Sequence, residues 1–356
     1  MNCRVPRVIR QCCQDMLQQQ WARQLPIIQA QSPARVATVG LESAVNEVAA
    51  RDGARLVVID FAAGGGGPTP ISERLINAER KANGDAPLEF LMCDLYPNFP
   101  AWNELCKKSD NLGFIPESVD AASPPPRALS VNTKRRISWT DQQPEGKSDT
   151  RIFRLFNLSF HHFDDETAKN ILHSTLRSAE GIAIIELQDR RIGCLAMMVF
   201  NFFLSLLMTC SWFPPFCPNR QQRRQNRIQN LLTYTFILPF ILCWDGVASC
   251  LRTREFEEVM ELIGEHCDIA GWTFSWRRQM HTAPFGYVSW ITGVKKQRRL
   301  DSMQDSRKSS MKVTSALSGS GSGSGSASMT GESSLSGSSS RFVSAPPSAF
   351  GFADAM

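Results

Sequence analysis

The sequence is that of an α/β protein with a doubly wound, mostly parallel sheet of seven strands and a helical apolar insertion. Three observations lead to this reading. Short apolar runs occur in order along the chain, and four of them are tipped by an acid or an asparagine. The first run is followed at once by a cluster of glycines, the usual way for a buried strand to enter a tight turn before a helix. Between the runs lie segments with apolar residues at helical spacing, and this alternation argues for a parallel sheet covered on both faces.

The first strand is Leu56-Val-Val-Ile-Asp60-Phe61, and the turn Ala62-Ala-Gly64-Gly-Gly-Gly67-Pro68 follows it. Thr69 is read as the N-cap of the next helix, with Pro70 at its first position. Leu88–Cys93 is the second strand and ends in Asp94, while Leu112–Val119 is the third and finishes at Asp120-Ala121. Ile152–Phe160 forms the fourth, running into His161-His162-Phe163-Asp164-Asp165. Either Asp164 or Asp165 caps a helix to Arg177 that carries Ala168, Ile171, Leu172 and Leu176 on one face. Gly181–Leu187 is the fifth strand. Beyond an insertion come an amphipathic helix, Phe256–Ile263, and two terminal strands, Trp272–Trp276 and Tyr287–Val294.

A glycine turn between a strand and a helix lets a ligand approach the backbone and offers it free N–H groups, which points to a nucleotide-like ligand. A dinucleotide fingerprint needs a third glycine where Thr69 stands, and a Walker loop needs a Gly-Lys-Ser/Thr ending that is absent here. A turn in an α/β core with no ligand is the plain alternative.

The spacing resembles the glycine loop of class I S-adenosylmethionine-dependent methyltransferases, an acid followed by Gly-x-Gly-x-Gly. In that register Asp60 is the acid, Ala62 replaces the first glycine, and Gly64 and Gly66 match the other two. The resemblance runs from Leu56 to Glu186 and extends to about Lys296. It implies a Rossmann-like methyltransferase fold closed by an antiparallel hairpin, with S-adenosylmethionine as cofactor. It further implies Asp94 on the ribose hydroxyls, Asp120 on the adenine amino group, and Asn157 at a position where an acid is frequent. A histidine pair at the fourth strand is another family feature, so His161 or His162 is a candidate base, although the pair is often structural. Glu186 and Asp189 sit at the tip of strand five near the expected acceptor site. Asp245, in Trp244-Asp-Gly246, is a third catalytic candidate, with a helix-capping role as its alternative. The implied function is methyl transfer to a small-molecule or lipid-like acceptor that is hydrophobic or membrane-associated. The alternatives are a catalytically inactive, membrane-associated scaffold and, third, a nicotinamide-dependent oxidoreductase.

Composition supports one globular domain with additions. The chain has 356 residues, 42% of them hydrophobic, and a modest net charge of +5 in scattered groups, which gives no support to nucleic-acid binding. Eleven cysteines, an odd number without C-x-x-C spacing, point to a reducing compartment and to neither a disulfide framework nor a metal site. The reading assigns residues 1–34 to a helical extension without a signal pattern, and 35–190 with 252–298 to the α/β domain. A mobile insert spans 123–150, where Arg135-Arg136-Ile137-Ser138 has the form of a basophilic kinase site, and a Ser/Gly-rich disordered tail fills 299–356. Residues 191–251 form an apolar hairpin or lid. Leu195–Phe213 lacks any charge and is long enough to cross a bilayer, Leu231–Trp244 is shorter and broken by Pro239, and Arg220–Arg227 lies between them. Arginines resist translocation, so the expectation is a cytoplasmic protein whose hairpin dips into one leaflet or lies over a greasy substrate. A buried structural helix pair is the plain alternative.

Overall fold

The computed structural model describes residues 6–51, 55–126, 150–264 and 269–296. The sequence-read tail, most of the 123–150 insert and the Arg135–Ser138 motif lie outside these residues. Seven strands form one sheet: β1 (Leu56–Phe61), β2 (Glu89–Cys93), β3 (Leu112–Phe114), β4 (Arg151–Asn157), β5 (Gly181–Glu186), β6 (Trp272–Thr282) and β7 (Gly286–Lys295). Their spatial order is β3-β2-β1-β4-β5-β7-β6. The first five run parallel, and β7 enters antiparallel between β5 and β6. The chain is therefore a doubly wound α/β protein, and the closing antiparallel hairpin expected from the resemblance is present.

The described residues form nine helices: α1 (Arg7–Ala22), α2 (Pro33–Ala49), α3 (Thr69–Ala82), α4 (Phe99–Cys106), α5 (Asp165–Ser178), α6 (Ile192–Trp212), α7 (Arg220–Tyr234), α8 (Ile237–Arg252) and α9 (Phe256–Ile263). Strand alternation decides what each face buries. Leu56 and Val58 of β1 with Phe153 and Leu155 of β4 pack under α2, α3 and α4. Val57, Ile59 and Phe61 with Ile152 and Phe156 pack under α5 and α9. Asp60 and Asn157 fall on the first of these faces by the same alternation. Helix α2 approaches β7 closely because Gly40 has no side chain: a Cβ there would lie 2.4 Å from the indole of Trp290.

Several sequence expectations change. Thr69 does not cap α3; it is the first helical residue, Pro68 precedes it, and its hydroxyl turns inward to Asp60. Strand β3 stops at Phe114 rather than Val119, because Pro116 has no N–H for a ladder and the chain turns so that Val119 N donates to the Asp94 carbonyl. Strand β4 ends at Asn157, where Leu158 adopts a left-handed φ of 49° and a short 3-10 turn, Phe160–His162, begins. Asp164 is the cap of α5, accepting from Thr167 N at 2.8 Å. The apolar insertion contains three helices instead of two, since the arginine-rich link is itself helical as α7, capped by Asn219. Phe236, with φ 63°, breaks α7 from α8 at a bend of 71°.

Candidate functional site

The glycine turn is a strained and cross-braced loop. Ala62 sits at φ 56° and Gly64 at φ 54°, both left-handed, and Gly66 at φ 102° has no room for a side chain, since a Cβ would lie 2.5 Å from Leu105. Ala62 thus occupies the first glycine's position in the conformation that glycine favours, at the cost of about 1–2 kcal/mol. Asp94, at the tip of β2, accepts from Gly64 N (2.9 Å) and from Tyr96 N (2.8 Å). Buried Trp102 of α4 donates its indole N–H to the Gly64 carbonyl at 3.0 Å. Asp120 lies on the exposed loop beyond β3, one residue past the Val119–Asp94 backbone bond, and accepts from Ala122 N. The structure therefore brings Asp60, Ala62, Gly64, Gly66 and Asp94 together, with Asp120 beside them.

Beneath the turn, Asp60 Oδ2 accepts from the Thr69 hydroxyl, and Asn157 Nδ2 donates to the same hydroxyl at 2.8 Å. Asp60 Oδ1 and Asn157 Oδ1 are both buried without a hydrogen-bond partner among the described residues. Burial pushes the Asp60 carboxyl up to about 7, with the nearby charge of Asp94 adding to the rise and Thr69 and Asn157 opposing it. Two orphaned acceptors at the tips of adjacent strands are costly unless a donor meets them. They suit a cationic ligand group.

A second locus lies at the tips of β4 and β5. His161 Nδ1 and Glu186 Oε2 are 2.8 Å apart, both groups are buried, and Glu186 Oε1 also accepts from His161 N. Burial alone would lower the His161 pKa, but Glu186, helped by Asp245, outweighs it and raises the value. The pair commits Nδ1 and leaves Nε2 without a hydrogen-bond partner among the described residues. His162 lies beside His161 with ring centroids 4.2 Å apart and the planes tilted by 53°; desolvation and the neighbouring imidazole hold it below its ordinary value. These histidines line a cavity of about 190 Å³ together with Asp245, Gln188 and His281. Its walls are otherwise largely apolar, built from Leu17 and Trp21 of α1, Met197, Met198 and Leu204 of α6, and Leu242 of α8. Asp245 carries no hydrogen bond among the described residues and stands as an unbonded carboxyl group on a mainly greasy wall. Asp189, in contrast, is tied to Arg191. The glycine-turn residues do not line this cavity.

Three contributors escaped the sequence reading. Gln14 of α1 lies against Gly64 and Gly65 and receives a hydrogen bond from Asn98 at 3.2 Å, although nothing in a polar N-terminal helix signals that it reaches the turn. His281 comes from β6, far along the chain. Arg154 left a visible signal, a charge inside an apolar strand. Its guanidinium is fully buried under α5, over Phe61, where it binds Ser174, Thr175 and Ser178 and reaches toward the Ala121 carbonyl, anchoring the loop that bears Asp120.

No protein-family model matches the chain, and no curated protein matches it in sequence. Solved structures with a similar fold include an O-methyltransferase from Bacillus cereus in complex with S-adenosylhomocysteine, at 11% identity and a TM-score of 0.32, covering 83% of this chain and 94% of that one. A protein from Klebsiella pneumoniae assigned as an O-methyltransferase matches at 12% identity and a TM-score of 0.33, covering 83% and 92%. One from Rhodobacter sphaeroides assigned as a zinc-dependent alcohol dehydrogenase matches at 12% and 0.36, covering 82% and 100%. With scores this low and chemistries this different, the fold assignment rests on the sheet order itself.

Proposed function

We propose that this chain is an S-adenosylmethionine-dependent methyltransferase whose acceptor is a hydrophobic or amphiphilic molecule held in the cavity between α1, α6 and α8. The observation that carries the reading is the braced glycine turn at the tip of β1, with orphaned acceptors on Asp60 and Asn157 beneath it, in a sheet of this order. In this reading Asp60 and Asn157 meet the ammonium of the cofactor's amino-acid end, and Asp94 and Asp120 serve the ribose and adenine. When bound, the cofactor supplies an electrophilic methyl group on a sulfonium.

The chain's own part is to bind, orient and deprotonate. The apolar walls exclude water and position the acceptor, which is where most of the rate advantage of such a transfer arises. His161 Nε2 takes the acceptor's proton, and Glu186 stabilises the imidazolium that results. Asp245 places a negative charge near that imidazolium and accepts from a polar group of the acceptor.

Titration calorimetry with S-adenosylhomocysteine, S-adenosylmethionine and NAD tests the reading. Binding of the first two and not the third is expected. NAD binding alone would favour the oxidoreductase, and S-adenosylhomocysteine binding without turnover on any lipid-extract acceptor would favour the scaffold.

A further inference from the structure

We propose that the three-helix insertion seats the protein in the plane of an anionic phospholipid surface, embedded in one leaflet without crossing it. Beside the apolar contacts of Trp212, Phe213, Leu238 and Leu242 with α1, the insertion buries an unusual number of small and polar side chains. Its buried positions include Ser205 and Thr209 of α6, Asn226, Gln229 and Thr233 of α7, and Gly246 and Ser249 of α8. Large apolar side chains point outward instead. On α6 they are Val199, Phe200, Phe203 and Leu207, and on α8 they are Ile237, Phe240 and Trp244, each set at helical spacing and exposed by 41% to 72%. Helix α6 is long and apolar enough to span a bilayer, yet only 17% of its most apolar stretch is buried, so it is not a core helix of a soluble domain. Polar residues buried between the helices, with a continuous stripe of large apolar residues outside, is an arrangement that lipid favours and water opposes.

Charge complementarity selects the surface. Between Ile192 and Arg252 the chain has five arginines and one acid, and that acid, Asp245, lines the cavity. Arg220, Arg224 and Arg227 stand exposed on one side of α7 without an acidic partner among the described residues, and the same row continues into exposed Leu231. A basic row running into an apolar one fits headgroup phosphates above acyl chains.

Tertiary contacts fix the orientation. Helix α6 is about 31 Å long. Helix α1 meets its C-terminal half: Gln20 bonds Asn201 near the middle of α6, while Cys12, Cys13 and Met16 cluster with Trp212 and Phe213 at its C-terminal end. At the other end Cys194 is held against the Leu187 carbonyl and Cys250, so neither end of α6 leaves the domain. The insertion must therefore lie along the membrane. Phe200 belongs both to the exposed stripe and to the cavity wall, so the cavity opens where lipid would be.

Flotation of the full chain with liposomes tests this, and it does not depend on methyl transfer. Vesicles of phosphatidylcholine with 30% phosphatidylserine, a proportion on the order of that in anionic leaflets, should carry the protein, and detergent should release it where high salt does not. Phe203→Glu with Phe240→Glu should abolish flotation while the melting curve stays that of the parent. Arg224→Glu with Arg227→Glu should weaken binding to the anionic vesicles about tenfold or more and leave binding to pure phosphatidylcholine unchanged. Absence of flotation on either vesicle, or flotation that survives the phenylalanine replacements, would overturn the proposal. A discrete soluble dimer that those replacements convert to monomer would show that a second copy covers the face instead.

Discussion

Asp60→Asn separates the electrostatics of the glycine turn from its shape. The asparagine retains an acceptor for the Thr69 hydroxyl and removes the ionisable group. In the folded chain the Asp60 carboxyl titrates at about 7 and in the unfolded chain at 3.8, so between those values the folded state binds more protons. Stability contributed by this group therefore falls as pH rises through that window and is fully lost above 7. The gap of about three pH units corresponds to roughly 4 kcal/mol as an upper bound. The variant should melt several degrees higher than the parent at pH 8, at roughly 2–4 °C per kcal/mol, and nearly equal to it at pH 4. Part of the parent's slope will persist, because burial and Glu79 hold Glu42 up at about 7 as well. A ligand ammonium would favour ionised Asp60, so parental affinity for S-adenosylhomocysteine should climb as pH passes 7, and the variant should bind at least about tenfold more weakly. Differential scanning fluorimetry across pH with calorimetry at three pH values reads both effects. Parallel melting profiles would refute the raised carboxyl, and unchanged affinity would refute its contact with the cofactor.

Three further outcomes are expected. Gly66→Ala places a Cβ against Leu105 at a φ of 102°, and should cost about 1–3 kcal/mol in chemical denaturation and weaken S-adenosylhomocysteine binding. Gly40→Ala gains up to about 1 kcal/mol of helix propensity yet meets the rigid Trp290 indole, so a net loss of roughly 1–3 kcal/mol is expected, and a stabilised variant would contradict the packing of α2 on β7. Glu186→Gln removes the charge that raises His161, which lets burial pull the imidazole down. The stabilisation that a raised histidine lends is present below its unfolded value near 6.5 and fades as pH climbs through the folded one, so the variant should lose stability at pH 5.5 more than at pH 8.5. Its activity should fall while the ascending limb of the pH–rate profile moves to lower pH.

The strands, the turn and their order were legible in the sequence because each rests on local chemistry. Buried parallel strands are near-continuous apolar runs, and glycine is the residue that tolerates a left-handed turn, so Leu56–Gly67 announces itself. Strand alternation even places Asp60 and Asn157 on one face. Strands β3 and β4 end before their apolar runs do, because a proline, Pro116, and a left-handed leucine, Leu158, outweigh apolar character. Apolar length raised the question of the insertion without answering it, since Leu195–Phe213 reads the same whether it spans, docks or is buried. The tertiary structure adds what length cannot: Ser205, Thr209 and Thr233 turn inward, Phe200, Phe203 and Phe240 turn outward, and Gln20 of α1 bonds Asn201 of α6. It also decided the site's other contributors. Gln14 reaches the glycine turn, and His161, His162 and Asp245 line one cavity, only because distant segments converge at the carboxyl ends of the strands, a nearness set by packing and not by sequence spacing.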